Sequence, residues 1–201
     1  MALRSGMDTL ISRVRQLANA GTAEYSINDT TYFSDNDIQD ILDRNVTYLI
    51  EEPLSWVVTT DTGGTARYLT AQAAYGDLET LDSGTAYFNI QTTAGSLIGT
   101  ATYTPNYQNG RITFSSDQGG TSYFLTAHSF DVYGAAAEVW RQKIANFVTW
   151  YDFNADNQTF NRSQAFQNAQ EQLAYCESQR GSNILKYGGD VRTSSFMRID
   201  L

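Results

Sequence analysis

The strongest constraint on the fold comes from residues 131–180, in which apolar side chains recur at intervals of three and four positions. Residues 131–151 carry one broad apolar stripe with a 3.6-residue period, interrupted only by Lys143. We expect the Lys143 stem to lie along that surface with its charge in water. The stripe returns in residues 162–180 and ends at Gly181, where a glycine is common just past a helix. The pattern predicts a helical hairpin with an Asp- and Asn-rich connection.

Two more helices are predicted before this hairpin. Residues 7–19 carry an amphipathic stripe, which we expect to end by Gly21. A second helix is predicted to start at Ser34, which forms a capping-box pattern with Asp37 three positions later. Its apolar spacing continues to Ile50, so the sequence predicts a helix of about four turns.

Between the two helical regions the apolar period changes to two. Phe88 and Ile90 alternate with polar neighbours, and Ile112 and Phe114 repeat the alternation. The pair 109–110, Asn-Gly, is typical of a tight hairpin turn. The sequence therefore predicts an α+β fold: a four-helix core with an inserted antiparallel β domain and an extended C-terminal tail. The predicted divisions are 1–53 for the N-terminal helices, 54–128 for the β domain, 129–180 for the helical hairpin and 181–201 for a C-terminal arm.

Charge and cysteine content exclude several classes of protein. The formal net charge is −9, from 13 basic and 22 acidic side chains, which does not favour tight binding of nucleic-acid phosphates. The single cysteine, Cys176, excludes an internal disulfide and a cysteine-based zinc cluster. The sequence contains no apolar run near the roughly 20 residues that span a bilayer and no signal-type apolar segment, so we expect no membrane association and synthesis in a reducing cytoplasm.

Catalytic and metal-binding patterns are weak. Asp152, Asn154 and Asp156 match the first ligands of a calcium loop, but Asn157 and Ser163 occupy the positions that need glycine and a bidentate glutamate. An ordinary capped turn is therefore expected there. His128 is the only histidine, and no pattern in the sequence connects it to a nucleophile. Cys176 lies on an apolar helix face, where a thiol is usually a small buried hydrophobe. We expect no enzyme activity, no cofactor and no metal.

The C-terminal tail is too broken for a long helix and too apolar for a solvated end. Its apolar residues are Ile184, Leu185, Val191, Phe196, Met197, Ile199 and Leu201. Such a tail is a candidate arm that orders on a neighbouring subunit, for example by adding a strand to an open sheet edge. A frayed terminus is the alternative.

Residues 133–175 resemble the head-tail connector (adaptor) proteins of tailed bacteriophages. The resemblance is carried by the alanine triplet 135–137, Trp140, the Tyr-Asp-Phe junction at 151–153 and the Phe-Asn-Arg-Ser-Gln restart at 160–164. The preceding strand pattern from Gly110 into Asp131 is also similar to the family. The match covers the C-terminal half well, the N-terminal helices loosely, and residues 59–109 hardly at all.

The resemblance implies a structural virion protein that forms a ring, typically of twelve copies, under the portal at the capsid-tail junction. Its partners would be further copies of itself, the portal protein, and tail, stopper or tail-terminator proteins. DNA would pass through the channel without specific binding, and assembly would occur in the host cytoplasm. The arm would bind the portal through its seven apolar residues. The hairpin would form the ring wall, with wall residues Trp140, Phe147, Trp150, Tyr151, Phe160 and Arg162.

A binding module is the alternative function. In that case the β domain carries the activity and the helices support it. Aromatic side chains of the predicted sheet would then form a platform for a glycan or a peptide. The candidate platform residues are Trp56, Tyr68, Tyr75, Tyr87, Tyr103 and Tyr107.

Overall fold

The computed structural model describes residues 3–21, 25–27, 30–80, 87–147, 153–155, 158–160 and 162–185. Within these ranges the helices are α1 (Asp8–Ala18), α2 (Asp35–Arg44), α3 (Val132–Phe147) and α4 (Arg162–Ser178). The strands are β1 (Tyr25–Ile27), β2 (Thr30–Tyr32), β3 (Val46–Pro53), β4 (Ser55–Thr60), β5 (Ala66–Gln72), β6 (Phe88–Thr92), β7 (Tyr103–Asn106), β8 (Arg111–Phe114), β9 (Tyr123–Phe130), β10 (Phe153–Ala155) and β11 (Gln158–Phe160).

The strands form two larger antiparallel sheets and two small hairpins. One sheet has the order β3-β9-β6, and the other has the order β4-β5-β8-β7. The pairs β1-β2 and β10-β11 stand alone as two-stranded hairpins. The second of these lies in the connection between α3 and α4, where the sequence predicted only a polar turn. Helices with antiparallel sheets confirm the α+β class.

The four helices share one apolar core, as the sequence predicted. Small side chains of the alanine triplet at 135–137 are fully buried there, which allows α3 to pack closely against α1, α2 and α4. The buried members of this helical core are Met7, Leu10, Ile11, Val14, Ala18, Ala20, Phe33, Ile38, Ile41, Leu42, Phe130, Val132, Ala135, Ala136, Ala137, Val139, Trp140, Ala169 and Cys176. Burial of Cys176 confirms its reading as a hydrophobe, and burial also raises the pKa of its thiol.

Local capping explains where the helices begin and end. Ser34 and Asp37 form the predicted capping box, with each side chain accepting from the other residue's backbone N–H. The Asp131 carboxylate accepts from the Gly134 N–H at 2.9 Å and so caps the start of α3. Helix α1 ends at Ala18 and is capped by Asn19, which adopts the left-handed conformation with φ 46°; this end agrees with the predicted span of residues 7–19.

The predicted second helix is correct in its start and wrong in its end. Helix α2 stops at Arg44, and residues 46–53 form strand β3, which pairs with β9. Leu49 is buried, whereas Tyr48 and Ile50 on either side of it are exposed. That alternation is the mark of a strand. The spacing of Leu49 and Ile50 from α2 mimics a helical stripe, and only the pairing with β9, distant in sequence, decides against it.

Residues 46–130, which we call the β unit, leave and re-enter the helical part at one place. Val46 lies opposite Phe130 in the β3-β9 pair, and the Asp131 N–H donates to the Asn45 carbonyl oxygen at 3.0 Å. The two ends of the insertion are therefore hydrogen-bonded neighbours. The β unit has its own buried core, whose members are Leu49, Leu54, Ala71, Ala73, Leu78, Phe88, Ile90, Tyr103, Ile112, Phe114, Tyr123, Leu125 and Ala127.

The predicted turn at Asn109 and Gly110 joins β7 to β8. Gly110 has φ 62°, a conformation that favours glycine. A Cβ atom at this position would collide with the carbonyl oxygen of Tyr75. Glycine is therefore required at this position for two reasons: its backbone angle and the close approach of a second chain segment.

Strand β9 contributes to both cores. Tyr123, Leu125 and Ala127 point into the β unit, with at most 6% exposure. Phe130 has the opposite parity and is fully buried in the helical core. One strand thus connects the two apolar cores through the alternation of its side chains.

Candidate assembly surfaces

The predicted C-terminal arm begins with residues that belong to the fold. We call residues 181–185 the arm root. The Gly76 N–H donates to the Asn183 carbonyl oxygen at 2.7 Å, and the Leu185 N–H donates to the Ala74 carbonyl oxygen at 2.7 Å. The root therefore lies antiparallel to residues 74–76 of the same chain. The predicted start of the arm at residue 181 is too early, because the first five residues are anchored.

The Asn183 side chain fixes the arm root from inside. It is 4% exposed, and its Nδ2 donates to the Ser129 hydroxyl at 2.9 Å. The Ser129 hydroxyl in turn donates to the Gly76 carbonyl oxygen at 2.7 Å. These contacts join the root, the end of β9 and segment 74–76 in one buried polar chain.

We expect Asn183→Ala to lower the free energy of unfolding by about 1–3 kcal/mol, because it leaves a buried hydroxyl without its donor. Ser182→Ala is the matched control, since Ser182 is exposed, and it should change stability by less than about 0.5 kcal/mol. Urea unfolding measures both. Equal stability of the two variants would mean that the root contributes nothing to the fold.

Of the seven apolar residues predicted to bind the portal, two lie in the arm root. Ile184 is 53% exposed and opposite Tyr75, whereas Leu185 is half-buried. The other five, Val191, Phe196, Met197, Ile199 and Leu201, lie outside the described residues.

Trp140, a predicted wall residue, belongs to the helical core. It is 8% exposed, and its indole N–H donates to the Leu17 carbonyl oxygen at 3.1 Å. It therefore holds α1 against α3. Of the other predicted wall residues, Trp150 and Tyr151 lie outside the described residues, and Phe147, Phe160 and Arg162 are described by their backbone, in α3, β11 and α4.

The prediction that Lys143 keeps its charge in water is wrong. Lys143 is 5% exposed, and its ammonium donates to the Asn19 carbonyl oxygen at 2.9 Å. The same ammonium lies 5.0 Å from the ring centroid of Trp140 and 5.7 Å from that of Phe33. The charge thus sits at the C-terminal end of α1, where a cation is favourable, between two aromatic rings.

The solvent side of α4 is polar but nearly uncharged. Tyr175 is 51% exposed there, and its ring meets that of Tyr133 edge to face at 6.2 Å. Glu177 pairs with Arg141 of α3 at 2.6 Å, and both side chains are largely exposed. The other exposed polar side chains of the helix include Gln164, Gln167, Asn168, Gln170, Glu171 and Gln172. A face of amides and tyrosine suits protein contact, because charged residues are depleted at the centres of interfaces.

A polar cluster around the buried carboxylate of Glu79 joins the β unit to the N-terminal turn. The Glu79 side chain is 1% exposed, accepts from Arg4 Nε at 2.8 Å and lies 3.1 Å from His128 Nδ1. Arg4 also makes a two-point contact with Asp43 of α2, at 2.6 and 2.9 Å. The hydrogen bond to Asp43 has the largest effect on the pKa of Arg4. Together with the bond to Glu79 it outweighs desolvation, so this pKa lies above its ordinary value.

Two tyrosines enclose the histidine of this cluster. The Tyr48 ring is 4.9 Å from the His128 ring and the Tyr87 ring is 4.7 Å from it, between centroids. The only histidine of the chain thus packs against two tyrosines and contacts a buried glutamate. Sequence reasoning missed this cluster because its contacting members lie 39 to 75 residues apart along the chain.

A groove runs between α1 and the β7-β8 hairpin. Its larger part has a volume of about 760 Å³, and an adjoining part has about 370 Å³. The two parts share Arg13, Asp77, Asn106 and Gln108, and the smaller one is also lined by Leu185 of the arm root. The Arg13–Asp77 ion pair crosses the groove where the two parts meet.

Acid titration of Asp77 should change stability in a defined direction. Burial raises the pKa of its carboxyl, against the charge and hydrogen bond of Arg13, which lower it. A raised folded-state pKa means that the folded protein takes up the proton more readily than the unfolded chain. We therefore expect the wild type to gain stability relative to Asp77→Asn as the pH falls from about 7 to about 4.

Asp117→Asn is the matched control for Asp77→Asn, and the stability change expected for it with pH has the opposite sign. The pKa of Asp117 is lowered, first by the hydrogen bond from the Gly119 N–H. The wild type should therefore lose stability relative to Asp117→Asn as the pH falls below about 4, through the lowered pKa. Urea unfolding at several pH values measures both differences. Two trends of the same sign would contradict the assignment.

The aromatic residues of the predicted binding platform divide among several contacts. Trp56 packs on Tyr68, Phe114 and Tyr123, and its indole N–H donates to the Thr121 carbonyl oxygen at 2.9 Å. Tyr103 and Tyr107 instead contact Phe88. Tyr87 contacts His128, and Tyr75 pairs with the arm root. Binding of a glycan or a peptide by these residues stays a prediction.

Comparison with protein-family models, with curated proteins and with solved structures found no match. Within the part of the chain that the structure describes, no group of three or more His, Cys, Asp or Glu side chains is placed to hold a metal ion. No helix among the described residues is long and apolar enough to cross a bilayer. The surfaces themselves, together with the sequence resemblance, therefore carry the functional argument.

Proposed function

We propose that this chain is a structural protein of a tailed-bacteriophage virion, a head-tail connector that forms a ring under the portal. There it extends the DNA channel and provides the platform for the tail. The observation that carries this proposal is the helical core, which joins α1 and α2 to α3 and α4 across an inserted β unit. The apolar pattern of the sequence predicts the same layout. The role is non-enzymatic and needs no cofactor.

The α3-α4 hairpin is proposed as the ring wall, through its solvent side. In this arrangement Trp140 maintains the hairpin from within, while the amide-rich face of α4 with Tyr175 packs against the next copy. Many modest contacts around a closed ring add up to a stable assembly, since each copy is held at two sides. Twelve copies would match a twelve-fold portal.

The arm is proposed to reach the portal after the arm root. Residues 186–201 carry five of the seven predicted portal-binding residues, and the hydrogen bonds of the root fix the point from which they leave. A fixed departure point lowers the entropy that is lost when the arm binds. The tail, stopper or tail-terminator proteins would bind the other side of the ring.

The net charge of −9 supports passage of DNA without binding. Acidic surfaces repel phosphates, so a duplex can slide through a channel without being held. The proposed place of action is the capsid-tail junction of the virion.

The test is the native mass of the protein alone and after mixing with the portal protein of the same virus. A complex that holds one copy of this chain per portal subunit is expected. Electron microscopy of that complex should place the chain in a ring coaxial with the portal. If this protein and the portal protein remain separate at several salt concentrations, the connector role is refuted.

A truncated variant localises the attachment. Deletion of residues 186–201 should abolish binding to the portal and leave the monomer folded, because the hydrogen bonds of the root remain intact. Asn183→Ala, which alters the root, should lower stability and still bind. Full portal binding by the truncated variant would remove the arm from the proposal and leave the ring.

A further inference from the structure

We propose that, before assembly, the groove between α1 and the β7-β8 hairpin holds residues 186–201 of the same chain. The occupant is thus a segment of this chain, and the groove is an intramolecular docking site. This inference goes beyond the connector role and would stand for any function of the protein.

Continuity of the chain is the first reason. Leu185, the last described residue, lines the smaller part of the groove together with Ser182 and Asn183. The hydrogen bond from its N–H to the Ala74 carbonyl oxygen fixes its position. The chain therefore leaves the root at the mouth of the groove.

The lining of the larger part is the second reason. The half-buried Pro105 and Tyr107 and the exposed Thr104 and Thr113 line it from the hairpin. The buried Leu10 of α1 and Leu78 complete its apolar lining. A volume of about 760 Å³ is in the range of cavities that bury a ligand of several rings or side chains. Phe196, Met197 and Ile199 of the following segment offer apolar groups of that kind.

The length of the segment is sufficient. Phe196 lies eleven positions after Leu185, and an extended chain spans about 3.3–3.6 Å per residue. That reach is roughly 36–40 Å, whereas helix α1, with 11 residues at 1.5 Å each, is about 16 Å long. The paired glycines at 188–189 allow the chain to turn along the way.

The same chain is a better occupant than a second copy. A segment tethered at the mouth of a groove has a local concentration in the millimolar range. A free second copy at micromolar concentration would have to bind about a thousandfold more tightly to compete.

Limited trypsin digestion of the full-length protein tests this inference, because three cleavage sites, Lys186, Arg192 and Arg198, lie within the segment. Docking should slow cleavage after all three residues. Thr113→Trp, which fills the groove, should speed cleavage at least tenfold, whereas Thr62→Trp, in an exposed turn between β4 and β5, should leave the rate unchanged. If Thr113→Trp does not fold, as judged by its melting temperature, Thr104→Trp takes its place.

The outcomes separate the possibilities. Two results together support docking in the same molecule. The filled variant is cleaved faster than the wild type, and the cleavage rate of the wild type does not depend on protein concentration. Protection that appears only at high protein concentration would mean that a second copy supplies the segment and would overturn the proposal. Equal rates in all variants would also overturn it. No portal protein is used, so failure here leaves the connector role standing, and failure to bind the portal leaves this result standing.

Discussion

Phe130→Ala is expected to lower the free energy of unfolding by about 3–5 kcal/mol, the usual cost of removing a buried aromatic ring. Phe130 is fully buried at the end of β9, and its N–H donates to the Asp77 carbonyl oxygen at 3.0 Å. Its ring fills the helical core where the β unit joins it. The loss should appear as a lower midpoint in urea with an unchanged slope.

The control is Phe124→Ala in the same strand. Phe124 has the same parity as Phe130 but is only half-buried, so its removal should have a clearly smaller effect, about 1–2 kcal/mol. Near-UV circular dichroism and intrinsic fluorescence should give coincident transitions for the wild type. A loss of less than about 1 kcal/mol in Phe130→Ala would mean that this ring does not join the two cores.

Glu79→Ala should also be severe, with a loss of about 3–5 kcal/mol, because it removes one partner of a buried ion pair. Arg4 would retain Asp43, but the Arg4 Nε and His128 Nδ1 contacts would both lose their acceptor. Glu79→Gln keeps an oxygen of nearly the same position and should cost less, about 1–2 kcal/mol. Urea unfolding near neutral pH measures both variants.

A partly exposed carboxylate gives the matched comparison for Glu79. Glu138 pairs with Arg44 at 2.5 Å, where the side chains are 28% and 53% exposed. Glu138→Ala should cost about 1 kcal/mol or less, because solvent screens that pair. A double-mutant cycle of Glu79→Ala with Arg4→Met then measures the coupling energy between the two side chains. Similar losses for Glu79→Ala and Glu138→Ala would contradict the burial argument.

The helical half of the fold could be predicted because its signals are local. The capping box at Ser34 and Asp37, the cap at Asp131 and the apolar stripe that buries Cys176 each lie within one or a few turns. The end of α2 could not be predicted from the sequence, because Leu49 and Ile50 continue the helical spacing. Only the pairing with β9 makes them part of a strand. Sheet formation depends on a partner that is distant in sequence.

The candidate surfaces were predicted less well, for the same physical reason. No pattern along the chain connects Arg4 to Glu79, which are 75 positions apart, or Asn183 to Ser129, which are 54 apart. Lys143 was expected in water because a lysine on an apolar stripe usually extends outward. Its burial depends on Asn19 and two aromatic rings that the fold brings to it.

The divided helical core also determines when the protein can fold during its synthesis. Helices α1 and α2 are complete by residue 44, whereas α3 begins at residue 132, so about ninety residues are translated between them. At roughly 5–20 residues per second, the apolar stripes of the first two helices lack their partners for several seconds. A nascent chain arrested within the β unit therefore presents an exposed apolar surface and becomes a target for chaperones and proteases.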